Sequence, residues 1–541
     1  MLRTAAAVVF GAILVSSRPT SAQVIGPSVC NNYSCIQPGM PNYGIAQGSI
    51  FVIAGSDNMA QSSASQGVPL QTTLAGVAIT VSVGAVTTQA IPYFVSPSQI
   101  TAILPSKTPI GQGTVTVSSG GESVSASITV VPSAFGLATV SPSGPGGPWA
   151  AAVAQDQGEG GQLLGQANAA NPGEYLTLWG SGLGPVSGDE TQYQTPENLT
   201  SIPIEVDIGG VSATVPYHGR SVYPGLDQIN VIVPAGVSGC NVSLVVSAGG
   251  VPSNFGTIPV AASGRICVDP GVVPVTADEY QSLLGLGDVN VGVISLETLA
   301  AGTVTGDSAY ATFQQYSAQQ FASVGFLQVP SAGSCLVTAG PWQPPLMGSS
   351  AFGQLSAGAQ INIAGPDGPL ALPQFGESGS YLEPTGTSPP ILPPTGGAFT
   401  FNDGSGGPGV GTFRFGSGDS LTTPLLWTND SAIAAVERAK GQPVTWSGGA
   451  PGSYVYIFGY SPLYQYSPLA GGSTTRVGFT CSALLSAGQF TVPAAALESL
   501  PAAENGYFYV ANGVLQRFSA PGLDLGLLFF GAGTGISVPF N

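Results

Sequence analysis

The chain has 541 residues, of which 78 are Gly and 46 are Pro, so residues that loosen or interrupt the backbone recur too often for long helices. With 43% hydrophobic and 7% charged residues, it is too apolar to stay unfolded and too poor in Lys, Glu and Arg for a helical bundle or coiled coil. Ten basic against 27 acidic residues, a formal net charge of −17, exclude a nucleic-acid footprint and leave little attraction for anionic lipid or phosphorylated ligands.

Residues 1–22 read as an export signal: Arg3 supplies the positive start, Ala5 to Val15 the apolar run, and Thr20-Ser21-Ala22 a small-residue cleavage site before Gln23. A membrane anchor is the competing reading, but the run is short of the ~20 residues that span a bilayer. The mature chain is therefore expected to be secreted, extracellular or on the cell surface with the periplasm also open, and to keep no transmembrane span. Residues 23–43 form a short Cys-containing segment. In an oxidising compartment the even set of six cysteines reads as bridges. Proximity suggests Cys30 with Cys35 and Cys240 with Cys267, and elimination leaves Cys335 with Cys481. A metal site is the alternative. It is disfavoured because no CxxC occurs and one His, His218, cannot complete a zinc shell in the usual ways, so neither metal nor cofactor is expected.

The next stretch repeats itself. QGSIFVIAGS (Gln47 to Ser56) aligns with PGEYLTLWGS (Pro172 to Ser181), SQITAILP (Ser98 to Pro105) with DQINVIVP (Asp227 to Pro234), and TVTVSSGG (Thr114 to Gly121) with VSLVVSAGG. Three blocks in one order mean two copies of one unit, placed at 44–132 and 168–267 with a connector or long loop at 133–167. Within each copy, short alternating runs closed by Gly or Pro predict antiparallel strands of a sandwich. Gly120-Gly121 and Gly249-Gly250 read as hairpin turns.

The succession PGEYLTLWGSGLGPV, DIGGVSATVPYHG, YPGLDQINVIVPAGV and SLVVSAGGVPSNFGTIPV resembles the Solibacter-type C-terminal domain of secreted acidobacterial proteins, over about residues 44–262. The resemblance implies immunoglobulin-like IPT/TIG strand logic. The family supplies no activity and no functional residue to carry over.

From 268 to 541 the sequence is again β-rich, with strand candidates from ATFQQY to VLQRFSA and turns at Asp367-Gly368, Ser447-Gly448-Gly449 and Asn512-Gly513. Short helices are expected near 318–323, at 430–440 and after Pro493, and the Pro-rich stretch 384–397 marks a division or a long loop. The expected class is thus all-β: tandem immunoglobulin-like antiparallel β-sandwiches followed by a sandwich-like region with a few short helices.

Chemistry is sparse. Gly418-Asp419-Ser420-Leu421 spells a GDSL-type nucleophile signature, yet the base that this chemistry needs is missing, because His218 lies far upstream with Val215 at the Asp position. Gly404 to Gly409 satisfies GxGxxG but runs into a strand instead of opening a helix, so it reads as a hairpin loop. DQGEGG (156–161) and NDGSGG (402–407) could offer oxygens to Ca²⁺ but read first as turns. No catalytic residue is assigned. In SYVYIFGYSPLYQY (Ser453 to Tyr466), Tyr454, Tyr456, Phe458 and Tyr460 share one strand face and Val455 and Ile457 the other, as in a central strand, with Tyr464 and Tyr466 in a loop beyond it. Tyr460, Tyr464 and Tyr466 are the candidate ligand-binding residues, since tyrosine offers a sugar ring an apolar face and a polar rim. The chain reads as a non-catalytic adhesive, carbohydrate-binding or structural module whose partner is a polysaccharide or a cell-surface protein. The alternative is a secreted hydrolase of glycosidase type using carboxylates in 268–541.

Overall fold

A computed structural model describes residues 28–541 apart from 56–58, 141–150, 153, 157–160, 270, 302–303, 319–320, 322–328, 340–352, 377–378, 384–392, 394–395, 421–422 and 468–470. The export signal expected at 1–22 lies outside the described residues. The architecture is all-β and mostly antiparallel.

Two sheets enclose the first core. One has the order Ser28–Asn31, Ile50–Ala54, Gln99–Ile103, Ile91–Val95, Ala64–Ser65; the other Ile45–Ala46, Glu122–Val131, Gly111–Ser119, Val77–Val83, Thr73–Leu74. Alternation drives this layering: in Val77–Val83, VAITVSV, every odd position is buried. Ile53, Ile79, Ile100 and Val115 meet in the resulting core.

The second copy repeats the topology down to the register. Tyr175–Ser181, Asp227–Ile232 and Thr214–Arg220 stand in the order of Ile50–Ala54, Gln99–Ile103 and Ile91–Val95; Gly256–Val260, Gly239–Ala248 and Ile204–Ile208 follow the opposite sheet. Ile53 faces Ile100 in the first copy, and Leu178 faces Ile229 in the second. Even the parallel contact Ile45 with Val130 returns as a bridge between Ala170 and Val260. Two boundaries differ from expectation. Ser28–Asn31 belongs to the first sheet, and the supposed connector 133–167 supplies edge strands to the second pair, where Gly136–Leu137 pairs with Ser181 and Gly180, and Ala154–Asp156 with Leu178 to Leu176. A sheet edge needs backbone partners, and small or polar residues serve as well as apolar ones.

The last region is built on a nine-stranded sheet with six strands of 14 to 16 residues: Asp288–Ala301, Val304–Ser317, Tyr454–Ser467, Gly471–Leu484, Ala503–Phe518 and Leu525–Phe540. Its strands carry apolar residues on both faces because both faces are covered. On one face Trp427 and Trp446, from the three-stranded sheet Leu425–Trp427, Gln442–Gly448, Gln489–Val492, pack on Val455, Ile457 and Val510. Further along the same face, Phe399 and Phe401 of a four-stranded sheet meet Leu528 and Phe530. The other face holds Tyr454, Tyr456, Phe458, Leu527 and Phe529 under the helix Ala277–Leu284. That helix was not foreseen, although Thr276 and Glu279 form a capping box that the sequence spells out. Of the expected helices, Ala494–Glu498 forms, 430–440 holds only single 3₁₀ turns, and most of 318–323 lies outside the described residues.

The pairs Cys30–Cys35 and Cys240–Cys267 are bridged as proximity suggested, and Cys335–Cys481 as elimination left it. Two turns are corrected. Ser447 and Gly448 pair with Leu426 and Leu425 at the end of the strand Gln442–Gly448, so only Gly449 of that expected turn lies beyond the strand. Asn512-Gly513 does not close a hairpin but lies inside Ala503–Phe518. Asn512 is buried and donates to Ser453 Oγ and the Tyr454 carbonyl while accepting from the Ala450 amide. Gly513 is required there because the Tyr454 ring occupies the space of a Cβ, 2.8 Å from its nearest atom.

Candidate functional site

The hairpins Asp288–Ser317 and Tyr454–Leu484 turn at the same end of the nine-stranded sheet, because Ala301 is level with Gly535 and Tyr460 with Tyr507 and Ser537. In the ladder, Tyr460 is the last residue of its strand to pair with Ala503–Phe518; beyond it the hairpin pairs with its own return strand.

At that root the aromatic face emerges. Tyr454, Tyr456 and Phe458 are buried, as expected for a central strand, while Tyr460 is half-buried. Tyr460 stacks on Tyr507 with centroids 5.0 Å apart, and the exposed Arg476 guanidinium lies 4.9 Å from the Tyr460 centroid. Behind them the rings continue inward: Tyr507 to Tyr509 at 6.3 Å, Tyr509 to Phe458 at 4.9 Å, Phe458 to Tyr456 at 5.6 Å. Burial raises the Tyr460 phenol above its usual range, and Arg476 opposes that shift. The outer rings are therefore held in place before any partner arrives.

The other two predicted tyrosines are placed differently from the expected loop. The backbones of Tyr464 and Tyr466 lie in the strand, opposite Thr474 and Gly472; their side chains lie outside the described residues. His218 is half-buried with Nε2 3.0 Å from the Leu199 carbonyl and 3.1 Å from that of Ile202, a structural arrangement. Asp403 accepts from the Phe413 amide at 2.9 Å and Asn402 from Gly404, so NDGSGG is a hydrogen-bonded turn. Four residues of DQGEGG, 157–160, lie outside the described residues, as do Leu421 and the side chain of Ser420. Among the described residues no group of three His, Cys, Asp or Glu could hold a metal ion, and no helix is long and apolar enough to cross a membrane.

Sequence reasoning missed a polar cluster on the aromatic face. Glu297 is 3% exposed and accepts from Ser295 Oγ at 3.0 Å. Tyr310 and Tyr454 are buried near it, and the Tyr456 hydroxyl shares with Glu297 Cγ the space beside Gly531. Burial pushes the Glu297 carboxyl up to about 7, the Ser295 hydroxyl opposing, and the Tyr454 and Tyr456 phenols are raised by burial and then by Glu297. A carboxyl sealed at this depth does not meet a substrate, but it makes folding pH-dependent. Below about 4.5, the ordinary glutamate value, folded and unfolded chains both hold the proton, and burial exacts no ionisation cost. As pH rises from about 4.5 to about 7 the unfolded chain ionises first, so stability is lost across that window, by roughly 3 kcal/mol. Glu383, half-buried and raised by burial and Asp307, adds a smaller loss in the same window. Glu297→Gln should flatten most of the slope in denaturant titrations between pH 4 and 8. Equal slopes for both proteins would show that Glu297 does not titrate in this way.

No family model matches the chain, and no curated protein sequence does either. Among solved structures it is similar to the I9-I11 tandem of titin, at 8% identity over 68% of this chain and 92% of that one, with a TM-score of 0.12. The bacterial integrin-binding protein invasin gives 11% identity over 90% and 75%, with a TM-score of 0.12. The FN1-FN3 domains of chicken CNTN1 give 10% over 67% and 95%, with a TM-score of 0.14. Superpositions this loose carry no argument. The immunoglobulin-like class rests on the sheet order and register above.

Proposed function

We propose that the chain is a secreted, non-catalytic contact module in which two IPT/TIG-like sandwiches of the Solibacter type, built on 44–132 and 168–267 and completed by Ser28–Asn31 and by edge strands from 133–167, lead into the larger sandwich of 268–541. Its ligand is a polysaccharide or a cell-surface protein, met at the hairpin end of the nine-stranded sheet through Tyr460 together with Tyr464 and Tyr466. The observation that carries this reading is the stack of Arg476, Tyr460 and Tyr507. Half-buried aromatic rings braced from behind lose little freedom on binding, which is the economy of a preorganised contact surface. Three disulfides support the extracellular address.

Incubation of the full chain with insoluble polysaccharides tests it. Retention without new reducing ends is expected, and Tyr460→Ala with Tyr507→Ala should weaken it roughly tenfold. Unchanged retention in the double variant dismisses the patch; release of reducing ends points instead to hydrolysis.

A further inference from the structure

A second pair of tyrosines stands where the two copies meet. Tyr193 and Tyr223 are 62% and 50% exposed, with ring centroids 5.8 Å apart and planes at 75°. Val222 beside them is 42% exposed. The loops that carry these rings are tied down by hydrogen bonds within the second copy and to the first. The Gln194 amide donates to the Val222 carbonyl at 3.1 Å, tying the two loops together. Asp189 closes the Tyr193 loop by accepting from the Thr191 amide at 2.9 Å and its hydroxyl at 2.7 Å, and Gln194 Nε2 donates to the Asp189 carbonyl at 2.6 Å. Both loops are also anchored to the first copy: the Leu70 amide donates to the Thr191 carbonyl at 2.8 Å, Ser106 donates through its amide and hydroxyl to Glu190, and the Tyr93 hydroxyl donates to the Pro224 carbonyl at 2.9 Å.

We infer that Tyr193 and Tyr223 form a binding corner for a neutral polysaccharide at the junction of the two repeats. This deepens the contact reading above and rests on it for the ligand class. Two rings meeting near a right angle give a sugar one aromatic face to stack on and one edge to abut, with the phenol hydroxyls as a polar rim. The patch is too small for a stable protein partner, since three exposed side chains fall far short of the roughly 20–30 residues a side of such interfaces. The net charge of −17 and the neighbouring Asp189 turn away anionic polymers, which leaves neutral chains.

The test uses the full chain on cellulose, chitin and insoluble β-1,3-glucan. The expected result is retention on at least one of them that falls roughly tenfold to a hundredfold in Tyr193→Ser with Tyr223→Ser and survives in Tyr193→Phe with Tyr223→Phe, because phenylalanine keeps the stacking face. Both residues are exposed, so an unchanged unfolding midpoint confirms that the serine variant is folded. Retention that is lost only in the Tyr460 and Tyr507 variant overturns the junction site and leaves the other patch standing; loss only in the serine variant does the reverse. No retention of the parent chain on any of the three overturns the inference. So does a serine variant whose only change is loss of self-association in sedimentation, which would assign the corner to a second copy of the chain.

Discussion

Replacing Cys335 and Cys481 together by alanine should lower the stability of the 268–541 region by roughly 5 kcal/mol. The bridge closes a separation of 146 residues, and in the chain-entropy model a loop of that size is the most restrictive of the three. Cys335 and Cys481 face each other across antiparallel strands and are buried in the core that holds Trp427 and Trp446. The bridge thus fastens the edge strand Cys335–Ala339 to its neighbour Gly471–Leu484 at the start of their shared ladder. Separations of 27 and 5 for the other bridges predict smaller losses, roughly 3 to 4 and roughly 2 kcal/mol. Urea titrations followed by tryptophan fluorescence give the ranking, because Trp427 and Trp446 report the core around the largest loop. An alanine pair at 335 and 481 that leaves the midpoint unmoved, or that costs less than the pair at 240 and 267, would show that native packing and not chain restriction sets the stability.

The duplication was legible because register is a sequence property when one face of a strand is buried: the blocks around Ile53 and Leu178 align only if the same residues point inward, and they do. The central strand Tyr454 to Tyr460 was legible for a different reason: both of its faces are apolar, which only a strand covered on both sides tolerates. What the sequence concealed depends on partners distant along the chain. Asn512-Gly513 has the composition of a turn, yet the Tyr454 ring and the Ser453 hydroxyl make it strand. Glu297 looks like one acid among 27 until Ser295, Tyr310 and Tyr456 close around it. Tyr193 and Tyr223 sit in polar, turn-like stretches with no pattern to mark them, and they lie 30 residues apart until the bond from the Gln194 amide to the Val222 carbonyl joins their loops within the second copy.

That docking has a charged pin, and removing it should cost nearly as much as the largest disulfide. Arg220 and Asp227, both fully buried, face each other at the ends of neighbouring strands with Arg220 Nε 2.7 Å from Asp227 Oδ1. Asp227 Oδ2 also accepts from the Gly182 amide at 2.7 Å and the Leu183 amide at 2.8 Å. This fixes the turn after Ser181, whose hydroxyl accepts from the Ile50 amide of the first repeat and donates to the Gly225 carbonyl. Asn31 of the first repeat donates to the Ser181 carbonyl at 2.8 Å. Breaking a buried pair strands the surviving charge, at about 3 to 5 kcal/mol. The two halves are not equivalent. Arg220→Met leaves a carboxylate that still accepts two amides, whereas Asp227→Ala leaves a buried guanidinium whose remaining hydrogen-bond acceptor among the described residues is the Gly184 carbonyl, at 3.4 Å, with Glu190 nearby, and two orphaned amides besides. Asp227→Ala is therefore expected at the upper end of that range and Arg220→Met at the lower. The double variant should not recover parent stability, because the Gly182 and Leu183 amides remain unpaired. Unfolding followed through Trp179, in the strand that ends at Ser181, measures all three, and a double variant as stable as the parent would mean that the turn after Ser181 does not need the carboxylate.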